Sequence, residues 1–233
     1  RARPTRSVRP RQHSVSEQRS PAFRTVALDV DSTISGVEGI DWLAERRGGD
    51  VARRIVELTD QAMRGDLALE RVYGLRLATI RPRRDEVAAL ANAYVQRLAP
   101  GCTRTVSRLR DAGVTIFLIS GGLRSAILPL ANHLEVPDAD VHAVQIQFDD
   151  AGEYAGFDER SPLATSIGKR TVIAALGAAR PILMVGDGMT DLAARPAVDS
   201  FAAFTGFASR EPVVAGADMV VHSFAELGHV VLG

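Results

Sequence analysis

Three runs of continuously apolar residues each break off at a polar loop. Residues 25–28 lead into Asp29-Val30-Asp31-Ser32-Thr33, residues 114–119 into Ser120-Gly121-Gly122, and residues 182–185 into Gly186-Asp187-Gly188-Met189-Thr190-Asp191. Runs that do not alternate apolar with polar predict strands buried on both faces, which is how parallel sheets read. Helical patterns lie between them, so the chain is expected to be α/β, a Rossmann-like three-layer core around a parallel sheet. Ligands of such sheets bind beyond the carboxyl ends of the strands, where all three loops would converge.

The first two runs are separated by four helical patterns. One covers residues 38–47, with Ile40, Leu43 and Ala44, and stops at Gly48-Gly49. A second follows Asp50 as N-cap, through Val51, Ile55, Val56 and Leu58. A third follows Asp66, through Leu69, Val72, Leu75 and Leu77. A fourth follows Asp85, through Val87, Leu90, Ala91, Val95 and Leu98. This is too much chain for a simple crossover. Residues 37–98 are therefore expected to form an inserted helical-bundle cap, with 22–36 and 99–233 as the core. Downstream, helices are expected over 103–112 and 123–133, then a hairpin of 141–148 with 153–157. A helix after Gly168-Lys169 and strands at 200–203 and 219–221 complete the pattern.

Zero net charge hides an asymmetry: residues 1–24 carry seven Arg against Glu17, a net +6, leaving −6 for the rest. An acidic body is a poor nucleic-acid binder, because that binding is driven by phosphate neutralisation. Residues 1–21 read as a basic extension, disordered or transit-like. No run approaches the ~20 apolar residues of a membrane span. A single cysteine, Cys102, gives no disulfide framework and no thiolate metal cluster. A cytoplasmic protein is expected, or an organellar one if the extension is a transit peptide, either monomer or homodimer.

Asp29 and Asp31, separated by one residue at a strand end, can divide a nucleophile's work from a proton carrier's. Asp29 and Asp187 would offer two carboxylates to a hard cation, which suits Mg²⁺. Asp191 would orient the ion's water shell or a backbone amide. Ser120, Gly121 and Gly122 are expected to open a helix whose free N–H groups favour an anion. Lys169, the only lysine in the chain, suits a phosphoryl group as a compact point charge. These parts describe phosphoryl transfer to a carboxylate. Asp29 attacks phosphorus, and Asp31 protonates the leaving alcohol and later deprotonates water. Lys169, Ser120 and Mg²⁺ stabilise the equatorial oxygens.

In that order, Asp-x-Asp-Ser-Thr, Ser-Gly-Gly, a lysine and Gly-Asp-Gly-x-Thr-Asp resemble the four motifs of the haloacid dehalogenase superfamily. The finer text is similar to its phosphoserine phosphatase branch: Glu38-Gly-Ile-Asp, Ala62-Met63, Leu118-Ile-Ser-Gly-Gly-Leu-Arg-Ser, Gly152-Glu-Tyr-Ala-Gly-Phe-Asp-Glu and Val185-Gly-Asp-Gly-Met-Thr-Asp. The resemblance covers about residues 22–230. It implies a four-helix cap and Mg²⁺ held by Asp29, the Asp31 main-chain carbonyl and Asp187. It also implies O-phospho-L-serine as the small-molecule substrate, with release of L-serine as the last step of its biosynthesis. By motif, Glu38 would hold the substrate ammonium and Arg76 its carboxylate. Met63, Ser120, Gly121, Gly122, Lys169 and Thr190 would make the other substrate contacts. Leu69 stands where that branch commonly has Phe, and 165–168 is less glycine-rich than usual. Other readings are a phosphatase or phosphotransferase acting on phosphohomoserine or phosphoethanolamine, a phosphomutase, and a non-catalytic module that binds through its basic segment.

Overall fold

The computed structural model describes residues 20–63 and 69–233, without the side chains of 59, 60, 62, 63, 69 and 70. In chain order the elements begin with β1 (Thr25–Leu28), α1 (Gly39–Arg46), α2 (Gly49–Met63), α3 (Leu69–Ile80), α4 (Arg84–Gln96) and α5 (Cys102–Asp111). Next come β2 (Thr115–Leu123), α6 (Arg124–His133), β3 (Val141–Val144), β4 (Ile146–Phe148), β5 (Tyr154–Phe157) and α7 (Gly168–Ala175). Last are β6 (Ile182–Gly186), α8 (Met189–Leu192), β7 (Ser200–Phe204), α9 (Glu211–Gly216), β8 (Met219–Val221) and α10 (Phe224–Leu232).

Six strands pair in the order β3-β2-β1-β6-β7-β8, every pairing parallel. Successive side chains of β1 go to opposite faces. Val26 and Leu28 join a core with α1–α6 and α10, while Ala27, Ile119 and Met184 join one with α7 and α9. That makes three layers, as the continuous apolar runs require. Chain order reverses direction beside β1, so the cleft expected of a doubly wound sheet opens there. The register aligns Leu28 with Leu118 on one side and Val185 on the other. Asp29, Ser120 and Asp187 consequently emerge within two residues of one level at the same edge.

The chain leaves for the inserted helices and returns through one stapled junction. Gly36 N–H donates to Arg97 O at 2.9 Å and Ala99 N–H to Ile34 O at 2.8 Å. The Ser35 hydroxyl lies 3.0 Å from Tyr94 O. Helix α4 packs along α6 of the core. No helix among the described residues is long and apolar enough to cross a membrane.

Several details depart from expectation. Asp50 lies in the first turn of α2 instead of capping it, where its charge still favours the helix dipole. Val56 and Leu75 are exposed, leaving the apolar stripes to Ile55, Leu58, Val72 and Leu77. Residues 141–148 form two strands. Val141–Val144 stays in the main sheet, and from Ile146 the chain pairs antiparallel with β5. Strand β2 does not end at Ser120; it runs through both glycines to Leu123, with a register shift between Ile119 and Leu123. The glycines are thus an irregular strand segment, and α6 starts only at Arg124. Asp66 as a cap and the character of residues 1–19 lie outside the described residues.

Candidate active site

The polar strand ends line a cavity of about 380 Å³, within the roughly 300–1,000 Å³ of small-ligand sites. Asp29, Asp31, Glu38, Arg76, Ser120, Gly121, Gly122, Lys169, Asp187, Thr190 and Asp191 all border it. Sequence-predicted residues from six segments are therefore brought together. Met63 ends α2, and its side chain lies outside the described residues.

Asp29 follows β1 directly; its N–H donates to Val185 O at 3.0 Å. Lys169, in the first turn of α7, reaches Asp29 Oδ1 at 2.5 Å and Asp191 Oδ1 at 2.6 Å, and all three are buried. Burial alone would lower the ammonium's pKa, but Asp191 and Asp29 more than offset it and hold Lys169 charged. Burial, and then the Asp191 charge, push Asp29 up to about 8 against the pull of Lys169. Asp191 folds back under β6: a Cβ at Gly186 would lie 2.2 Å from its Cγ, so only glycine fits there. Gly188 N–H donates to Asp191 Oδ2 at 2.9 Å.

Asp31 has different surroundings. Its Oδ1 accepts from the Tyr94 hydroxyl at 2.6 Å and its Oδ2 from Gly39 N–H at 3.1 Å. Burial, then the nearby Glu38 charge, raise its pKa to about 6, although both hydrogen bonds pull it down. Gly39 is needed here too, since a Cβ would sit 2.2 Å from the Tyr94 oxygen. Glu38 Oε1 accepts from the Ser32 hydroxyl at 2.7 Å and from Arg210 Nη2 at 3.3 Å. Ser32 itself holds a left-handed φ of 50°.

Ser120 Oγ accepts from Gly122 N–H at 2.9 Å, which leaves its own proton free for an anion. This cradle belongs to an irregular strand segment, not to the helix N-terminus expected from the sequence. Arg76 pairs with Asp41, while its buried Nε has no hydrogen-bond partner among the described residues.

One oxygen each of Asp29, Asp187 and Asp191 lies within 4.8 Å of the other two, all on buried residues. Three hard, anionic oxygen donors fit Mg²⁺. Both Asp191 oxygens are engaged, by Lys169 and Gly188, whereas Lys169 contacts one oxygen of Asp29. Thr33 Oγ1 donates to Asp187 Oδ1 at 3.2 Å, and Arg210 pairs with the other Asp187 oxygen.

Sequence reading missed Tyr94, Tyr73 and Arg210. Tyr94 continues the Leu90-Ala91 stripe of α4, and that periodicity could have found it. Tyr73 sits one turn before Arg76, between apolar neighbours that read simply as helix. Arg210 stands in the segment between β7 and α9, and no local pattern marks it.

Residues 23–199 match the haloacid dehalogenase-like hydrolase family. Over 205 residues the chain is 42% identical to the phosphoserine phosphatase of Bos taurus, covering 87% of this chain and 90% of that protein. It is 37% identical to the chloroplastic phosphoserine phosphatase of Arabidopsis thaliana, over 88% of this chain and 71% of the other. Among solved structures, a phosphoserine phosphohydrolase-like protein from Francisella tularensis superposes with a TM-score of 0.76 at 24% identity. That match covers 89% of this chain and 99% of the other.

Proposed function

The chain belongs to the haloacid dehalogenase-like hydrolase family, and from that premise we infer that it hydrolyses O-phospho-L-serine to L-serine and phosphate. One observation carries the reading: two carboxylates, separated by one residue at the sheet edge, have different partners. Asp29 is locked to Lys169, and Asp31 is held by Tyr94 and Gly39 with its pKa raised to about 6. Burial raises both carboxyls, Asp29 to about 8; with Mg²⁺ bound there, Asp29 would ionise for attack and leave Asp31 to carry the proton.

Asp29 attacks phosphorus, forming an aspartyl-phosphate as the bond from phosphorus to the serine oxygen breaks. Asp31 gives its proton to that leaving oxygen. L-serine departs, and Asp31, now a carboxylate, takes a proton from the water that attacks the same phosphorus. Phosphate leaves and Asp29 is restored. Lys169 and the Ser120 hydroxyl bind the phosphoryl oxygens. Mg²⁺, with Asp29, Asp187 and the Asp31 carbonyl as its ligands, would neutralise phosphoryl charge when bound.

Recognition of the amino-acid end falls to the inserted segment 37–98, which we assign as a cap. Glu38 receives the ammonium. Arg76, which borders the cavity beside its partner Asp41, receives the carboxylate. Turnover of phosphoserine and phosphoethanolamine, with and without Mg²⁺, tests the reading. It expects Mg²⁺-dependent release, faster from phosphoserine, and no turnover by Asp29→Asn. Equal rates on the two esters would remove Arg76 from its role.

A further inference from the structure

Tyr73 lies on α3 one turn before Arg76, and its phenol donates to Gly121 O at 2.8 Å. The peptide it grips is held at its other end as well, because Gly122 N–H donates to Ser120 Oγ at 2.9 Å. A single peptide unit thus connects an inserted helix to the serine that faces the phosphate. The Tyr73 ring is fixed independently: it packs on Phe157 with centroids 5.4 Å apart and planes at 59°.

Positions three apart on a helix share a face, so Tyr73 and Arg76 both border the cavity. Anchoring Tyr73 to Gly121 sets where Arg76 stands relative to Ser120. Those two side chains are assigned to opposite ends of the substrate, the carboxylate and the phosphate. We propose that Tyr73 is a specificity-determining positioning residue that fixes the span between the carboxylate clamp and the phosphate cradle. The proposal rests on the phosphoserine reading above and extends it to a residue outside the four motifs. Because the hydroxyl bonds a main-chain carbonyl and leaves the substrate to Arg76 and Ser120, its effect is felt through geometry.

Tyr73→Phe removes the tether and keeps the ring against Phe157. One neutral hydrogen bond corresponds to a change of roughly two- to tenfold. The expected result is a KM for phosphoserine raised about five- to tenfold with kcat within about twofold, the pattern of lost binding before chemistry. Phosphoethanolamine, which has no carboxylate to be placed, should lose no more than about twofold in kcat/KM. In an Arg76→Lys background the added loss on phosphoserine should shrink to about twofold or less, since coupled residues are not additive. Equal losses on both esters, or a full loss persisting beside Arg76→Lys, would make Tyr73 a general packing residue and overturn the proposal. So would an unchanged KM. A wild type that ignores phosphoserine would instead defeat the functional reading, and the two failures are told apart by that control.

Discussion

The Tyr94 hydroxyl donates to Asp31 Oδ1 at 2.6 Å from a fully buried ring. Helix α4 thereby acts on the protonation of a carboxylate at the sheet edge assigned above to catalysis. A hydrogen bond to the ionised form favours it, so Tyr94 counteracts the burial that raises Asp31. Tyr94→Phe should move the alkaline limb of the phosphorylation step upward, by up to about one pH unit. Single-turnover rates from pH 5 to 9 check this.

Glu38 acts on Asp31 in the opposite sense. Its charge is the second cause, after burial, of the rise to about 6. Glu38→Gln should lower the Asp31 pKa and shift the same limb downward, while raising KM through the lost ammonium contact. Opposite shifts for Tyr94→Phe and Glu38→Gln are the signature; shifts of the same sign would contradict it.

Stability should depend on pH through Asp29. Its pKa goes from an ordinary 3.8 to about 8 on folding, so between those values the folded state holds a proton that the unfolded state has lost. Stability of the Mg²⁺-free protein therefore falls as pH rises from about 4 to about 8. Mg²⁺ stabilises the ionised carboxylates and should raise Tm more at pH 8 than at pH 5.5. Thermal melts in EDTA and in Mg²⁺ at the two pH values measure this.

Arg210 bridges Asp187 and Glu38, placing one guanidinium against an acid assigned to Mg²⁺ and an acid assigned to the ammonium. Cation binding has to displace it or share the site with it. Arg210→Ala should tighten Mg²⁺ binding several-fold by calorimetry, since a competing charge is removed. Weaker binding would show that Arg210 supports the metal ligands instead.

Much of this architecture was legible because parallel strands buried on both faces leave unmistakable apolar runs. Thr25–Leu28 and the run into Asp187 mark the sheet and place both acids at its edge. Ser-Gly-Gly ahead of helical periodicity predicts a helix start at Ser120; pairing with β3 keeps the segment extended to Leu123 instead. Residues 141–148 alternate like one strand, and only their tertiary partners divide them. Tyr94 and Arg210 are recruited from distant segments, 63 and 23 residues from the groups they contact, and local pattern carries no record of such pairings. The Glu38 and Arg76 assignments came from resemblance, since exposed-looking helix charges are ordinarily uninformative.

The central claim is that Asp29 becomes phosphorylated during turnover. Acid quenching within the first turnover on phosphoserine, followed by borohydride reduction, would convert an aspartyl-phosphate to homoserine detectable by peptide mass spectrometry. The account predicts homoserine at position 29 in the wild type and none in Asp29→Asn. Homoserine at another position, or none anywhere in a preparation that turns over phosphoserine, would contradict it.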